Sequence, residues 1–369
     1  MFKDLLGVNF SAGTVFIALP LSLILLYVNH HLYLARRKRY FPITLCALVL
    51  TVSQFISLIA YVLGSTMVGE IFQKISLTSI VTLIVFLTQV QWVQKRSEKI
   101  TLYCLVLIHL IFILLDFLIF SNVITIIISL LLLNQLKVNV KAAIKTSIIL
   151  TILPLQAILN IVAILTKSPD IWVLSNLFLP LILLIIFATL QDRLKLLLMN
   201  SYFASVTDPL TGIFNKKHYH KQLQTELNIP DNTLYAIFCD IDNFKNLNDS
   251  EGHNKGDEIL KKVASIVQEE VGPYGIAARY GGEEIVAYVN LETNEKEIKT
   301  LTENIRARVH SETIVTLSIG YAKSEPTVTY DHLVHLADTA MYYSKQNGKN
   351  RVTAYDDMKI AGNAASMVK

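Results

Sequence analysis

Two short acidic stretches hold the residues best suited to chemistry. In CDIDNF (239–244) Asp240 and Asp242 stand two apart where an apolar run ends; in ARYGGEEI (278–285) Glu283 and Glu284 directly follow two glycines. Alternate side chains of a strand share a face, so the two aspartates are expected to leave the sheet together. Gly281 and Gly282 permit a tight hairpin and the close approach of a ligand to the backbone. If that hairpin lies beside the first strand, Asp240 and Glu283 converge. Two carboxylates meeting at a sheet edge, with phosphate as substrate, make a hard oxygen site suited to Mg²⁺. Such a site neutralises a triphosphate and activates a hydroxyl for in-line attack on phosphorus. On GGEE alone, a solvated hairpin tip is the competing reading.

The elements that must position these residues alternate in type. A helix is expected over 214–228, a buried strand over 234–244, a helix over 255–270, a hairpin over 276–290, a helix over 294–310, a strand over 313–322 and a helix over 330–346. Strand, helix, hairpin, helix, strand is the order of a ferredoxin-like βαββαβ, palm-type α/β domain.

Six motifs in order then resemble those of GGDEF-domain diguanylate cyclases: DPLTGIFN (208–215), CDIDNFKNLND (239–249), GHNKGDEIL (252–260), ARYGGEEI (278–285), LSIGYA (317–322) and ADTAMYYSKQNGKNRV (337–352). The resemblance covers about residues 204–355. It implies an enzyme that joins two GTP molecules into cyclic di-GMP with release of two pyrophosphates, working as a homodimer through its cytoplasmic domain with Mg²⁺, or Mn²⁺ in its place. It also implies roles. Asp240, the carbonyl of Ile241 and Glu283 resemble the metal ligands. Glu283 resembles the base for the attacking 3′-hydroxyl, with Glu284 assisting at the metals. Asn248 and Asp257 match the guanine-reading pair, and His253 lies in the same nucleotide-contacting loop. Lys345 and Lys349 stand where cations face phosphates, and Lys245 resembles the transition-state stabiliser. Against these, Asp242 serves equally as a loop-orienting residue, His253 as a packing residue, and Lys345 with Lys349 as a solvated helix end.

Four positions depart from the family pattern. Ile285 replaces the usual Phe on the apolar side of the hairpin, a loss of core volume. Lys349 stands where Arg is usual, so a forked phosphate contact becomes a single-point one. The product-inhibition motif is replaced by Gly272 and Gly275, so no feedback through that site is expected. A catalytically inactive domain that binds GTP or a protein partner is the alternative function.

The preceding half differs in kind. Of 369 residues 53% are hydrophobic, and charge is split: residues 1–191 hold 13 Lys+Arg against 5 Asp+Glu, a net +8, whereas residues 192–369 hold 20 against 24, a net −4. About 20 apolar residues form a helix that crosses a bilayer. Seven stretches approach that length, at 13–33, 42–63, 75–93, 101–120, 122–136, 146–166 and 171–190, with six or eight spans the alternatives. The first run far exceeds a signal peptide's apolar region of about 7 to 15 residues and is expected to be a span. An all-α multi-pass membrane bundle is therefore expected over 1–191, a linking signalling helix over 192–207, the cyclase-like domain over 208–358 and a flexible tail over 359–369.

Basic residues orient the bundle. Arg36, Arg37, Lys38, Arg39, Lys95, Arg96, Lys99, Lys137, Lys141 and Lys145 fall on one side, against Lys3, Lys74 and Lys167 on the other, placing the N-terminus outside and everything after Gln191 in the cytoplasm. That positive charge sits in short loops, so no nucleic-acid partner is expected. Trp92 and Trp172 suit the membrane interface. Pro20, Pro154 and Pro180 are expected to kink their helices. His109 and Asp116, seven apart, are expected on one face of the fourth span, as an interhelical contact or a signal- or proton-linked pair. The signal ligand itself is not named by the sequence. Cys46, Cys104 and Cys239 lack metal or disulfide spacing and are expected to be buried thiols.

Overall fold

A computed structural model describes residues 2–91, 95–136, 144–230, 232–291, 295–326 and 328–359. Trp92, Lys137, Lys141 and the tail from residue 360 lie outside the described residues. The chain folds as two compact units that divide between Met199 and Asn200.

The first unit is all helix: α1 (Phe2–Ala35), α2 (Arg37–Val62), α3 (Thr66–Gln91), α4 (Arg96–Leu114), α5 (Leu118–Leu136), α6 (Ile144–Thr166), α7 (Pro169–Asn176) and α8 (Phe178–Val206). Seven stretches among the described residues are long and apolar enough to cross a membrane, the last running through both α7 and α8. That span is interrupted at Leu177, three residues before Pro180, whose ring excludes the carbonyl four residues back. Pro20 and Pro154 are accommodated inside continuous helices. The inner seam is apolar, with Leu25, Leu32, Ile43, Leu50, Ile84, Ile149 and Ile186 fully buried.

The expected His109–Asp116 face does not form, because α4 ends at Leu114 and Asp116 lies beyond it. Asp116 adopts φ 61° while the Phe117 amide donates to the Phe112 carbonyl at 2.9 Å, a left-handed helix stop. The fourth and fifth spans thus part at residues 115–117, inside the stretch expected at 101–120. Asp116 pairs with Lys74. His109 stays in the helix, 3% exposed. The cysteine expectation holds only in part: Cys239 is buried, Cys46 is half-buried and Cys104 is exposed.

The second unit contains β1 (Phe214–Asn215), α9 (Lys216–Leu227), β2 (Leu234–Ile241), α10 (Phe244–Glu251), α11 (His253–Val271), β3 (Gly275–Gly281), β4 (Glu284–Asn290), α12 (Glu295–Glu312), β5 (Leu317–Lys323), α13 (Tyr330–Gln346) and β6 (Val352–Ala354). The sheet runs β1-β3-β4-β2-β5-β6. Central β2 pairs antiparallel with both β4 and β5, which gives the ferredoxin-like βαββαβ order its inner four strands.

Strand β2 is buried along its whole length. Its odd-numbered side chains, Tyr235, Ile237, Cys239 and Ile241, pack with Val263 and Val267 of α11 and Ile298 and Ile305 of α12. Its even-numbered side chains, Leu234, Ala236 and Phe238, pack with Tyr219 of α9 and Leu333, Ala337 and Met341 of α13. Asp240 continues the even series, so it projects toward α13. Three elements were not expected from sequence: β1, β6 and α10. The strand expected to reach residue 244 stops at Ile241, because Asn243 turns left-handed at φ 59° and Phe244 opens a helix.

Candidate active site

Asp240 is 4% exposed and sits opposite Glu284 in the β2–β4 register. Cross-strand partners share a face; Glu284 therefore follows Val286 and Tyr288 onto the α13 side, whereas Ile285 is fully buried against α11 and α12. The hairpin between β3 and β4 turns at Gly282, whose φ of 44° favours glycine. Glu283 occupies that turn, half-buried.

Helix α13 completes the site from the other side of Asp240. It presses onto β5 at Gly320, where a Cβ would stand 2.1 Å from the Met341 amide nitrogen and 2.3 Å from the Ala337 carbonyl oxygen. This close approach carries Lys345 to Asp240, with Nζ 2.6 Å from Oδ2. The other carboxylate oxygen, Oδ1, is buried and has no hydrogen-bond partner. Burial, with repulsion from Glu283 and Glu284, outweighs Lys345 and raises the Asp240 carboxyl to about 6. Glu284 is raised by burial and by the charges of Asp338 and Glu283. Asp338 is itself raised by burial. Burial and mutual repulsion thus raise these acidic groups together, with Lys345 the cation that opposes the shift at Asp240 and Glu284.

Asp242 takes the loop-orienting role. Its Oδ1 accepts from Ser318 Oγ at 2.6 Å; its Oδ2 accepts from Thr316 Oγ1 at 2.6 Å and the Asn350 amide at 3.0 Å. The Asn350 amide gets there through three consecutive positive φ angles, at Gly348, Lys349 and Asn350. Lys349 itself donates from Nζ to Asn243 Oδ1 at 2.5 Å, at the foot of α10. Lys245 is exposed on α10. Asn248, on the same helix, lies against the backbone of Gly256, beside exposed Asp257 in the first turns of α11. His253 opens α11 and is exposed.

Two contributors escaped the sequence reading. Asp338 lies on α13 seven residues before Lys345, a spacing that shares a helix face and could have flagged it. Arg279 clamps the hairpin, donating from Nε and Nη2 to the Gly282 carbonyl at 3.0 and 2.8 Å and from Nη1 to Asp208 Oδ1 at 3.2 Å. Burial disfavours the Asp208 anion, but bonds from Thr211 and the Arg279 charge outweigh it and hold the carboxyl below its ordinary range.

The donor set fits a hard cation only incompletely. Among the described residues no three His, Cys, Asp or Glu side chains gather to hold a metal. Two carboxylates and a strand-end carbonyl, with one buried oxygen unpartnered, match Mg²⁺, which takes few protein ligands and completes its shell with water and substrate phosphate.

Residues 205–351 match the family described as "Diguanylate cyclase, GGDEF domain". The chain is 34% identical over 157 residues to diguanylate cyclase DosC of Escherichia coli, covering 39% of this chain and 34% of that protein. It is 40% identical over 130 residues to diguanylate cyclase A of Treponema denticola, covering 33% and 35%. Among solved structures, the coiled coil and GGDEF domain of DgcB from Caulobacter crescentus in complex with c-di-GMP is 31% identical, with a TM-score of 0.42 over 44% of this chain and 92% of that one. The chain spans about a third of the length of the curated relatives it matches. Through residues 205–351 the chain matches a GGDEF domain, with an N-terminal bundle of apolar helices before that domain.

Proposed function

We propose that this protein is a membrane-anchored diguanylate cyclase that condenses two GTP into cyclic di-GMP and two pyrophosphates, under control of its helical bundle. The observation that carries the reading is the unpartnered, buried Oδ1 of Asp240 beside the Glu283 and Glu284 carboxylates. Asp240, the Ile241 carbonyl and Glu283 would hold Mg²⁺, or Mn²⁺ in its place. When bound, the ion supplies charge neutralisation for a triphosphate. Glu283 takes the proton from the 3′-hydroxyl that attacks the α-phosphorus of the other nucleotide, and Glu284 adds negative charge at the metal side. Lys245 stabilises the phosphoryl charge in the transition state, while Lys345 and Lys349 face the phosphates.

Asn248 and Asp257 offer an amide and a carboxylate to the guanine edge, with His253 in the same loop. Each subunit of a homodimer presents one GTP. The basic connections favour a cell-membrane placement with the N-terminus outside and the GGDEF domain in the cytoplasm. The bounds proposed are a bundle over 1–191, a linking helix over 192–207, the catalytic domain over 208–358 and a tail over 359–369. Gly272 and Gly275 offer no side chain to product, and a Cβ at Gly275 would meet the Tyr288 carbonyl oxygen at 1.8 Å. Turnover is therefore expected to continue as product accumulates.

The test is residues 192–369 incubated with GTP and Mg²⁺, with cyclic di-GMP and pyrophosphate measured in wild type and Glu283→Ala. Loss of a general base is expected to slow product formation by about 10²- to 10⁴-fold. Wild-type silence alongside GTP binding would instead support a non-catalytic nucleotide receptor.

A further inference from the structure

The helical bundle encloses a second polar site, a cavity of about 540 Å³ whose lining includes Glu70, Lys74, His109, Gln156, Asn160 and Trp172. The lining draws on α2 to α8 near the turns at 63–65, 115–117 and 167–168, away from the basic connections at 36–39 and 95–99. His109 is 3% exposed and its Nδ1 has no hydrogen-bond partner. A buried ring nitrogen left so is costly relative to a paired one. Gln156, 6% exposed, lines the same space. Apolar packing alone would place hydrocarbon at these positions.

The geometry points to a binding site for a small organic ammonium compound, between an amino acid and a dipeptide in size. Three observations select that class. The Lys74 charge is matched by Asp116, which leaves exposed Glu70 as the surplus charge at the rim. The indole of Trp172 offers a ring face of the kind that attracts organic cations. His109, Gln156 and Asn160 supply hydrogen-bonding groups for the remaining polar atoms, and the volume suits a ligand of this size. The site belongs to the bundle and its readout is binding, so its failure leaves the cyclase proposal untouched.

The chain has two tryptophans. In full-length protein in detergent carrying Trp92→Phe, fluorescence therefore reports Trp172 alone. Titration with putrescine, spermidine and L-lysine is expected to give a saturable change with at least one of them and none with L-glutamate. Glu70→Gln is expected to weaken that response at least about tenfold. His109→Phe, which fills the space and removes the unpaired nitrogen, is expected to abolish it while the thermal midpoint stays or rises. The same amines are expected to raise the thermal midpoint of the unmutated full-length chain. Absence of any saturable response, a response equal for L-glutamate, or one that survives Glu70→Gln would overturn the assignment.

Discussion

Replacing Asp240 with Asn is expected to flatten the pH dependence of folding stability in the nucleotide-free domain. Asp240 holds its proton up to about pH 6 in the folded state, against 3.8 for the ordinary carboxyl. The direction follows from linkage. Between those two pH values the unfolded chain binds fewer protons, so stability fully present below 3.8 is progressively lost as pH rises to about 6. At 1.36 kcal/mol per pH interval of one, the whole loss is about 3 kcal/mol. Only part of it falls in an accessible range. Between pH 5 and pH 7.5 wild type is expected to lose about 1.4 kcal/mol more than Asp240→Asn.

The Lys345 ion pair forms only with the ionised carboxylate, and its pull is already contained in the Asp240 value of about 6, so it adds no separate pH dependence. Urea unfolding of residues 200–369 at the two pH values measures the quantity. Mg²⁺ at a hundredfold over its dissociation constant is expected to stabilise wild type by about 2.7 kcal/mol and leave the Asn variant unmoved. A wild-type-to-variant difference that is the same at both pH values, or that moves the other way, would refute the claim that burial raises the Asp240 carboxyl.

Two further perturbations test the scaffold. Gly320→Ala drives a methyl into the backbone of α13, and because neither partner is a movable side-chain end it is expected to cost about 1 to 3 kcal/mol and lower the midpoint by about 2 to 4 °C per kcal/mol. Cyclase activity is expected to fall with it, as Lys345 is drawn off Asp240; calorimetry and turnover together check this. Arg279→Met unties the hairpin from Asp208 and is expected to cost about 1 to 3 kcal/mol at neutral pH, a deficit that persists to the ordinary carboxyl value of 3.8 and shrinks only below it as Asp208 is protonated; urea midpoints at pH 7 and at about pH 2.5 measure it.

Much of this architecture was legible in the sequence because long-window properties carry it. The division of the chain, the seven apolar stretches and the strand–helix–hairpin order follow from hydropathy and period, which average over many residues. That the acidic hairpin lies beside β2 was foreseen from the strand end and the glycine pair, though the register sets Glu284, not Glu283, opposite Asp240. Single backbone angles were not. Asp116 was placed on a helix face by counting sevens, yet a left-handed turn at an aspartate takes it off the helix altogether. Helix α10 was hidden because eight polar-rich residues after a strand read as a loop, and what opens it is Asn243 at positive φ. Asp338 went unnoticed because a lone acid on an amphipathic helix looks like a solvated face until β5 and α13 are seen to close on Gly320.

The two-sided burial of β2 limits how this domain's length can drift. A single residue inserted before Asp240 would hand that carboxylate to the hydrocarbon between α11 and α12 and present a cysteine or isoleucine to the α13 side. Viable indels in that strand must come in pairs or be absorbed in the connection ahead of Leu234.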